Sequence, residues 1–450
     1  MKKRVSVFMP VVLAVIVTVS LLTGCGDKGA SSTDGAPEEI VIGNPTSLTG
    51  NFASAGICST FGAEAAVRDI NEQGGIYLSK YDKKVPVRLI TVDDQSDENK
   101  SAQLAEDLIL RSNVKFLISP AGFPQCVATK ALVCEKYKVP HTTGVVPRET
   151  TLALRDASDR PWEYSFMNCF SIGTPIEDPT DYRYGKGGYT IIDTWSYMLE
   201  QYGDETNKTV GFFASDDPDG AGWYVGFPAG ISAAQPDFTL VGLDKNIGLF
   251  PVGTVDHSAN IKAWMDAGVE ILWGNTAGSD FGVLARQMRS MGFQPKMVGA
   301  ARAALYYGDV SAWGGNIARG VGIEAWGFEN LEDFEAYGDT TPTSLTEEWI
   351  AAKNRPFEQM LPHGYRCVQE LAEAIEAAGT IEPEAVREAM KDLDIITMTG
   401  RVSYDDNNFN NVPIAYGQWF ETDDEFGWEL KIVASKHDFI PVEADPIFPY

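Results

Sequence analysis

The stretch IVIGNPTSLTGNFASAGICSTFGAEAAVRDINEQGGI, residues 40–76, holds two patterns in succession. Ile40, Val41 and Ile42 make a continuous apolar run that ends at Gly43. A Gly- and Ser-containing loop follows. Then Ala63, Ala66, Val67 and Ile70 recur at i, i+3, i+4 and i+7, which paints one face of a helix. Gly74-Gly75 stops that helix. A short apolar strand, a loop and an amphipathic helix are the repeating unit of a parallel sheet.

Working outward, the unit repeats. An apolar run over 85–92 ends in Asp93-Asp94, and a helix with Ala102, Ala105 and Ile109 comes next. A strand over 114–118, a helix over 125–137 and a strand over 139–143 complete the run. Continuous apolar strands between amphipathic helices predict a parallel sheet covered on both faces. After an irregular, Pro-, Gly- and Asp-containing stretch over 171–188 the same grammar restarts. Helices are expected near 190–202, 223–234 and 259–267, and strands at 209–214, 238–241, 269–273 and 296–299. Phe281, Leu284, Ala285 and Met288 mark a further helix. Val368, Leu371, Ala372 and Ile375 mark another, with a shorter one over 383–390. The tail over 400–403, 415–420 and 428–433 reads as strands. The expectation is an α/β chain of two Rossmann-like lobes with parallel sheets, in which the chain crosses between lobes more than once.

The beginning of the chain carries a different message. Lys2, Lys3 and Arg4 precede a mostly apolar run over 5–22 that is short for a membrane span and ends in small residues. This is the pattern of a secretory signal, to be excluded from fold reasoning. Leu22-Thr23-Gly24-Cys25 resembles the bacterial lipobox, whose Cys is lipidated. The expectation is a lipoprotein signal over 1–24, lipidation at Cys25 and a flexible tether over 25–39, since that segment offers almost nothing apolar to bury. Asp and Glu outnumber Lys and Arg 63 to 36, for a net charge of -27. So acidic a body repels nucleic acid and anionic headgroups, which argues against a nucleic-acid partner. Beyond Cys25 the chain has Cys58, Cys126, Cys134, Cys169 and Cys367. An odd number outside the cytoplasm leaves a free thiol or an intermolecular bridge. Their spacings match no metal motif, and buried structural thiols are the plainer reading.

Motifs that carry chemistry are missing. Gly185-Lys186 lacks the upstream Gly of a phosphate-cradling loop, and neither H-E-x-x-H nor G-x-S-x-G occurs. His141, His257, His363 and His437 are far apart, with no second ligand at metal spacing. No catalytic residue, metal site or cofactor is therefore expected, although triads can be scattered in sequence. Asp216-Asp217-Pro218-Asp219 is a dense acidic loop that suits a cation, a ligand amine or merely a solvated turn.

Position in the fold says more. Open parallel sheets bind ligands beyond the carboxyl ends of their strands. Here those loops are 47–58, 119–125, 144–148, 215–222, 274–279 and 300–304. They are rich in small residues, with Phe52, Phe123, Trp223 and Tyr306 nearby, so a ligand can approach the backbone between apolar walls.

The lipobox, then 42–50 (IGNPTSLTG), then 62–67 (GAEAAV) with Asp69-Ile70-Asn71 and Gly74-Gly75-Ile76, resembles the N-terminus of leucine/isoleucine/valine-type binding proteins. These are the solute receptors of branched-chain amino-acid-type ABC importers. Asp93-Asp94 with Asp97 and Ala102, and the segment 281–292 with Leu284, Arg286, Gln287 and Gly292, fit as well. The resemblance covers roughly 40–435. It implies a type I periplasmic-binding fold: two lobes, a three-stranded hinge, a ligand in the cleft and closure by hinge bending. The N-terminal lobe would be 40–168 plus 328–398, and the C-terminal lobe 169–327 plus 399–450. Implied partners are a small molecule, ABC permease and ATPase subunits, and the membrane through the lipid anchor.

The family's ligand residues are replaced. The positions that hold the α-carboxylate in amino-acid-binding members fall on Phe123, Val145 and Pro147, and a first-loop Tyr falls on Ala55. Two second-lobe Tyr fall on Asp219 and Ala277, and the Glu that meets the α-ammonium falls on Ala301. A family disulfide is absent at Ser96 and Gly122. Candidate ligand-binding residues are Phe52, Ala55, Phe123, Gln125, Val145, Val146, Arg148, Asp219, Asn275, Ala277 and Arg302. The replacements imply that leucine, isoleucine and valine are not the ligand. Arg148 and Arg302 offer forks for the carboxylate of a small organic acid. Asp219 replacing the missing Glu, with a different amino acid or an amide bound, is the rival. A sensor receptor of the same fold and an extracytoplasmic hydrolase are the alternatives to import.

Overall fold

The strand Ile40–Thr46 is buried along all seven residues, as its continuous apolar run requires of a strand covered on both faces. It lies in a sheet whose strand order is Phe409–Asn411, Ser165–Phe170, His141–Thr143, Phe116–Ser119, Ile40–Thr46 and Val87–Asp93. Every pairing along this path is parallel. The structure, a computed structural model, describes residues 35–450 apart from Asn51, Gly122, Phe123, Arg160 and Pro449, and leaves out the side chains of Pro124 and Gln125. The signal over 1–24, the lipidation at Cys25, most of the tether and the site residue Phe123 thus lie outside the described residues, as does the side chain of Gln125. Residues 37–450 form one compact unit. Among the described residues no helix is long and apolar enough to cross a membrane.

The second sheet runs Thr239–Val241, Thr209–Ser215, Ile271–Asn275, Met297–Ala301, Val321–Ala325, Ala415–Glu421 and Trp428–Ala434. Its first five strands are parallel, and the two tail strands are antiparallel. The tail runs backward because Ala415–Glu421 enters from the hinge end, beside Val321–Ala325 leaving toward it. Residues 409–411 pair with the first sheet, so the last return to the second sheet comes near 414 and not at 399. Several elements carry no clear periodic signal: the strands Ser165–Phe170 and Val321–Ala325, and the helices Arg148–Asp156 and Pro342–Lys353.

The helices Ala53–Glu72 and Met360–Ala378 share the largest core, packed on the first sheet. They approach so closely that a Cβ at Gly62 would sit 2.0 Å from the Leu361 carbonyl oxygen. Two further cores cover the faces of the second sheet, and a Trp195–Trp273 edge contact at 4.9 Å lies in one of them. The chain passes between sheets three times. The crossovers meet in a small apolar cluster of Val145, Trp326 and Val412, on which Phe170 and Leu305 pack. Phe170 and Trp326 stack with centroids 4.9 Å apart at 4°. Val412 N–H donates to the Cys169 carbonyl at 2.8 Å, joining first and third crossovers by backbone. Such a stack adds about 0.5–1.5 kcal/mol beyond its buried area.

Candidate functional site

Tyr306, just beyond the carboxyl end of Met297–Ala301, packs against the first core, whose members include Ala55 and Cys58 of the helix that follows Ile40–Thr46. The first-sheet edge is built from pinned loops. Asp93 accepts from the backbone N–H of Leu48 (3.0 Å) and Thr49 (3.2 Å) and from the Thr49 hydroxyl (2.7 Å). These bonds hold its carboxyl below the usual range against the opposing effect of burial. Asp94 accepts from Ser47 Oγ at 2.7 Å and lies 3.7 Å from the fully buried Lys130 ammonium. A Cβ at Gly56 would strike the Ser47 carbonyl oxygen at 1.9 Å, so only glycine lets the helix start this close to the loop.

The loop after His141–Thr143 is fixed from beneath. Arg366 donates to the Thr143 (3.1 Å) and Gly144 (2.8 Å) carbonyls and pairs with Glu370 at 3.3 Å, both side chains fully buried. Glu370 also accepts from Thr142, Asn168 and Tyr404. Burial raises its pKa, and Arg366 and these donors offset part of the rise. A Cβ at Gly144 would lie 1.7 Å from the Pro120 carbonyl oxygen, which locks two cleft loops together. Among the described residues, the buried cations of this edge, Lys130 and Arg366, are engaged by protein groups. Val145 faces the hinge cluster at 9% exposure. Val146 is 2% exposed, packed in a core with Val127, Met167 and Phe409, so it does not line the cleft. Arg148 is likewise no free fork: it donates to Asp405 at 2.6 Å and Asn411 at 3.0 Å. Ala55 is buried in the first core, and half-buried Phe52 precedes the helix Ala53–Glu72, its N–H donating to Ser96 Oγ at 3.2 Å.

The second-sheet edge is polar. Asp217 caps the helix Pro218–Ala234 through the Gly220 N–H (2.8 Å) and meets Arg302 at 2.8 Å. Burial would raise the Asp217 pKa, but Arg302 and the cap bond hold it below the ordinary value. Arg302 also reaches Asp219 at 3.2 Å, and Asn275 donates to Asp219 at 3.1 Å. Arg302 Nε and Asn275 Oδ1 are buried without a hydrogen-bond partner. Arg302 adopts φ +60°, a left-handed conformation that non-glycine residues rarely hold and that clusters at functional positions. Ala277 supplies only backbone, before the helix Gly278–Ser290. Close by, Glu324 is 3% exposed with Oε2 unpaired; burial, reinforced by Asp219, pushes its pKa up to about 8.

So Asp219, Asn275 and Arg302 of the expected set come together, while Val146 and Arg148 are spent on structure. Of the neighbouring residues, Asp217 was named only within the acidic loop and Tyr306 only as an aromatic near the strand ends, while Glu324 and Trp326 had no sequence signal. The acidic 216–219 loop serves as a cap and an Arg partner. Among the described residues no group of three or more His, Cys, Asp and Glu is disposed to hold a metal. The five cysteines are buried and unpaired. All four histidines are buried, and burial drives His141 down to about 3.

This two-sheet, three-crossover frame agrees with the comparisons. Residues 39–424 match the family model described as periplasmic binding protein. The chain belongs to the periplasmic binding protein family. A Leu/Ile/Val-binding protein of Rhizobium johnstonii is 25% identical over 378 residues, covering 82% of this chain and 88% of that protein. The leucine binding protein of Thermotoga maritima superposes with a TM-score of 0.63 at 16% identity, covering 88% of this chain and 99% of that one. An ABC-transporter solute binding protein of Rhodopseudomonas palustris, solved with 3,4-dihydroxy benzoic acid, gives 0.63 at 16% identity over 90% and 99%. The type I fold expected from the sequence is thereby established for this periplasmic binding protein. Membership also places it with extracytoplasmic solute binders rather than enzymes.

Proposed function

We propose that this periplasmic binding protein is held outside the cytoplasmic membrane by lipid on Cys25 and delivers a small molecule to the permease and ATPase subunits of an ABC importer. The carrying observation is the polar cluster at the second-sheet edge, where buried Arg302 Nε and Asn275 Oδ1 lack partners beside Asp217 and Asp219. An unpaired buried polar group costs about 1–3 kcal/mol, and a bound ligand that pairs it removes that cost. The lobes of our reading are the two sheets with their helices, closing about the Phe170–Trp326–Val412 hinge.

The ligand class follows from the charge count at the edge. Two carboxylates already engage the single Arg302 guanidinium, so a bare organic acid would meet repulsion. A molecule with both donors and an acceptor satisfies the cluster better: an amide or an amino-acid-like compound, its apolar part against Val145. Such compounds should raise the melting temperature of ligand-stripped protein and be recovered unchanged; at a hundred times Kd the stabilisation is about 2.7 kcal/mol. Recovery of a converted product would overturn the binding reading, and stabilisation by bare aromatic acids alone would overturn the ligand class. For the anchor, Cys25→Ser should leave the protein unprocessed or released, and unchanged membrane retention of the folded variant would refute it.

A further inference from the structure

Besides the hinge, the two lobes touch at a second place. Tyr306, from the loop beyond the strand Met297–Ala301, packs into the core of the first lobe, whose members include Cys58 and Ala55. The next residues stay in contact: a Cβ at Gly308 would lie 3.3 Å from both Arg355 Nη2 and Ser54 Oγ. Facing Tyr306 is Glu358, 2% exposed, just before the helix Met360–Ala378. Arg355 Nη2 lies 2.6 Å from Glu358 Oε1, yet neither Glu358 oxygen receives a well-directed hydrogen bond. Asp309, from the second lobe, feels the same guanidinium electrostatically. Contact between lobes therefore encloses two carboxyls with one cation.

We propose that Tyr306, Asp309, Arg355 and Glu358 form a latch that holds the two lobes closed and grips more firmly as the medium becomes acidic.

The physical reason is the cost of an uncompensated buried charge. With the lobes apart, Tyr306 and Asp309 withdraw and both carboxyls are hydrated. With the lobes together, burial pushes Glu358 up to about 7; Arg355 eases the shift and Asp309 adds to it. Asp309 is raised by burial as well, with Arg355 opposing. The other groups facing the latch are Cys58 on the helix Ala53–Glu72 and the Tyr306 phenol, both raised by burial and so neutral. Tyr307 and Asp424 stand at the rim. A carboxyl whose pKa is higher closed than open takes up its proton on closing. The aid to closure is absent well above pH 7, grows as pH falls through about 7 and is complete below the ordinary value of 4.5. Each proton taken up raises the closed-to-open ratio by up to about tenfold per pH unit within that window.

The inference rests on the two-lobed reading above, but its test uses no solute, so its failure leaves solute binding standing. Solution scattering of the ligand-free full chain between pH 8 and pH 5 reads the closed population through the radius of gyration. The expected result is compaction of the wild type on acidification, absent in Glu358→Gln and weakened in Asp309→Asn. Tyr306→Ala should be expanded at every pH, its folding verified by melting temperature. A wild-type radius that does not move would overturn the latch. So would Glu358→Gln and Asp309→Asn curves that track the wild type, which would assign the compaction to general charge neutralisation of an acidic chain.

Discussion

The two edges that face each other across the cleft are built to opposite rules. On the first lobe three cations are engaged internally: Arg366 by Glu370 and two carbonyls, Lys130 by Asp94 and the Pro45 carbonyl, Arg148 by Asp405 and Asn411. On the second lobe Asp217, Asp219, Asn275 and Arg302 form a half-open cluster with unpaired atoms. The first edge uses these groups to hold its loops still; the second leaves polar atoms unpaired, which our proposal assigns to recognition. Mutations on the first edge should therefore cost stability, and mutations on the second should cost affinity.

The largest effect tests that contrast directly. Arg366→Met strands the buried Glu370 carboxyl, and removing one partner of a buried pair costs about 3–5 kcal/mol. Urea denaturation should find a loss of that size; a variant as stable as the wild type would break the account of the first edge. Arg302→Ala on the opposite edge should lower affinity for the ligand identified by thermal shift about ten- to a hundredfold by calorimetry, from loss of a charge-assisted bond of about 1.5–3 kcal/mol. Its stability should fall by less than about 1 kcal/mol, since the Arg302 pairs are partly exposed. Equal affinity in the variant would remove Arg302 from the site.

Arg148→Ala sharpens the comparison, because sequence alone offered Arg148 and Arg302 as equals. With its fork held by Asp405 and Asn411 at 13% exposure, Arg148 should contribute about 1–2 kcal/mol to stability and nothing measurable to affinity. A drop in affinity without loss of stability would reverse the assignment. The smallest effect concerns Glu324. Its folded pKa of about 8 lies above the ordinary 4.5, so the folded state holds a proton that the unfolded chain releases. Stability should fall as pH rises from 4.5 toward 8, by up to about 1.4 kcal/mol per pH unit. Glu324→Gln should flatten that slope by about 1 kcal/mol between pH 7 and pH 8. Parallel pH–stability curves for the two proteins would place a neutralising partner beside Glu324.

Four strands of the first sheet, over 40–46, 87–93, 116–119 and 141–143, were legible because each lies in a short apolar run bounded by turn residues, and many of the helices because their apolar residues recur with helical period. Ser165–Phe170 escaped because Ser165 and Asn168 interrupt the run; Asn168 is buried there by bonds to Thr143 and Glu370 from distant segments. Val321–Ala325 escaped because Gly322 and Glu324 break its pattern, Gly322 making room for the Tyr416 hydroxyl. The return of 409–411 to the first sheet has no local mark at all: a three-residue strand is defined by its partner, Ser165–Phe170.

Local periodicity and turn chemistry by themselves determined the α/β alternation, the two parallel sheets and the loops at their carboxyl ends, because each depends on residues a few positions apart. Only the tertiary structure decided which polar side chains remain for a ligand. Arg148 meets Asp405 across 257 positions and Arg302 meets Asp217 across 85, and whether a guanidinium is spent or available depends on partners that sequence spacing does not encode.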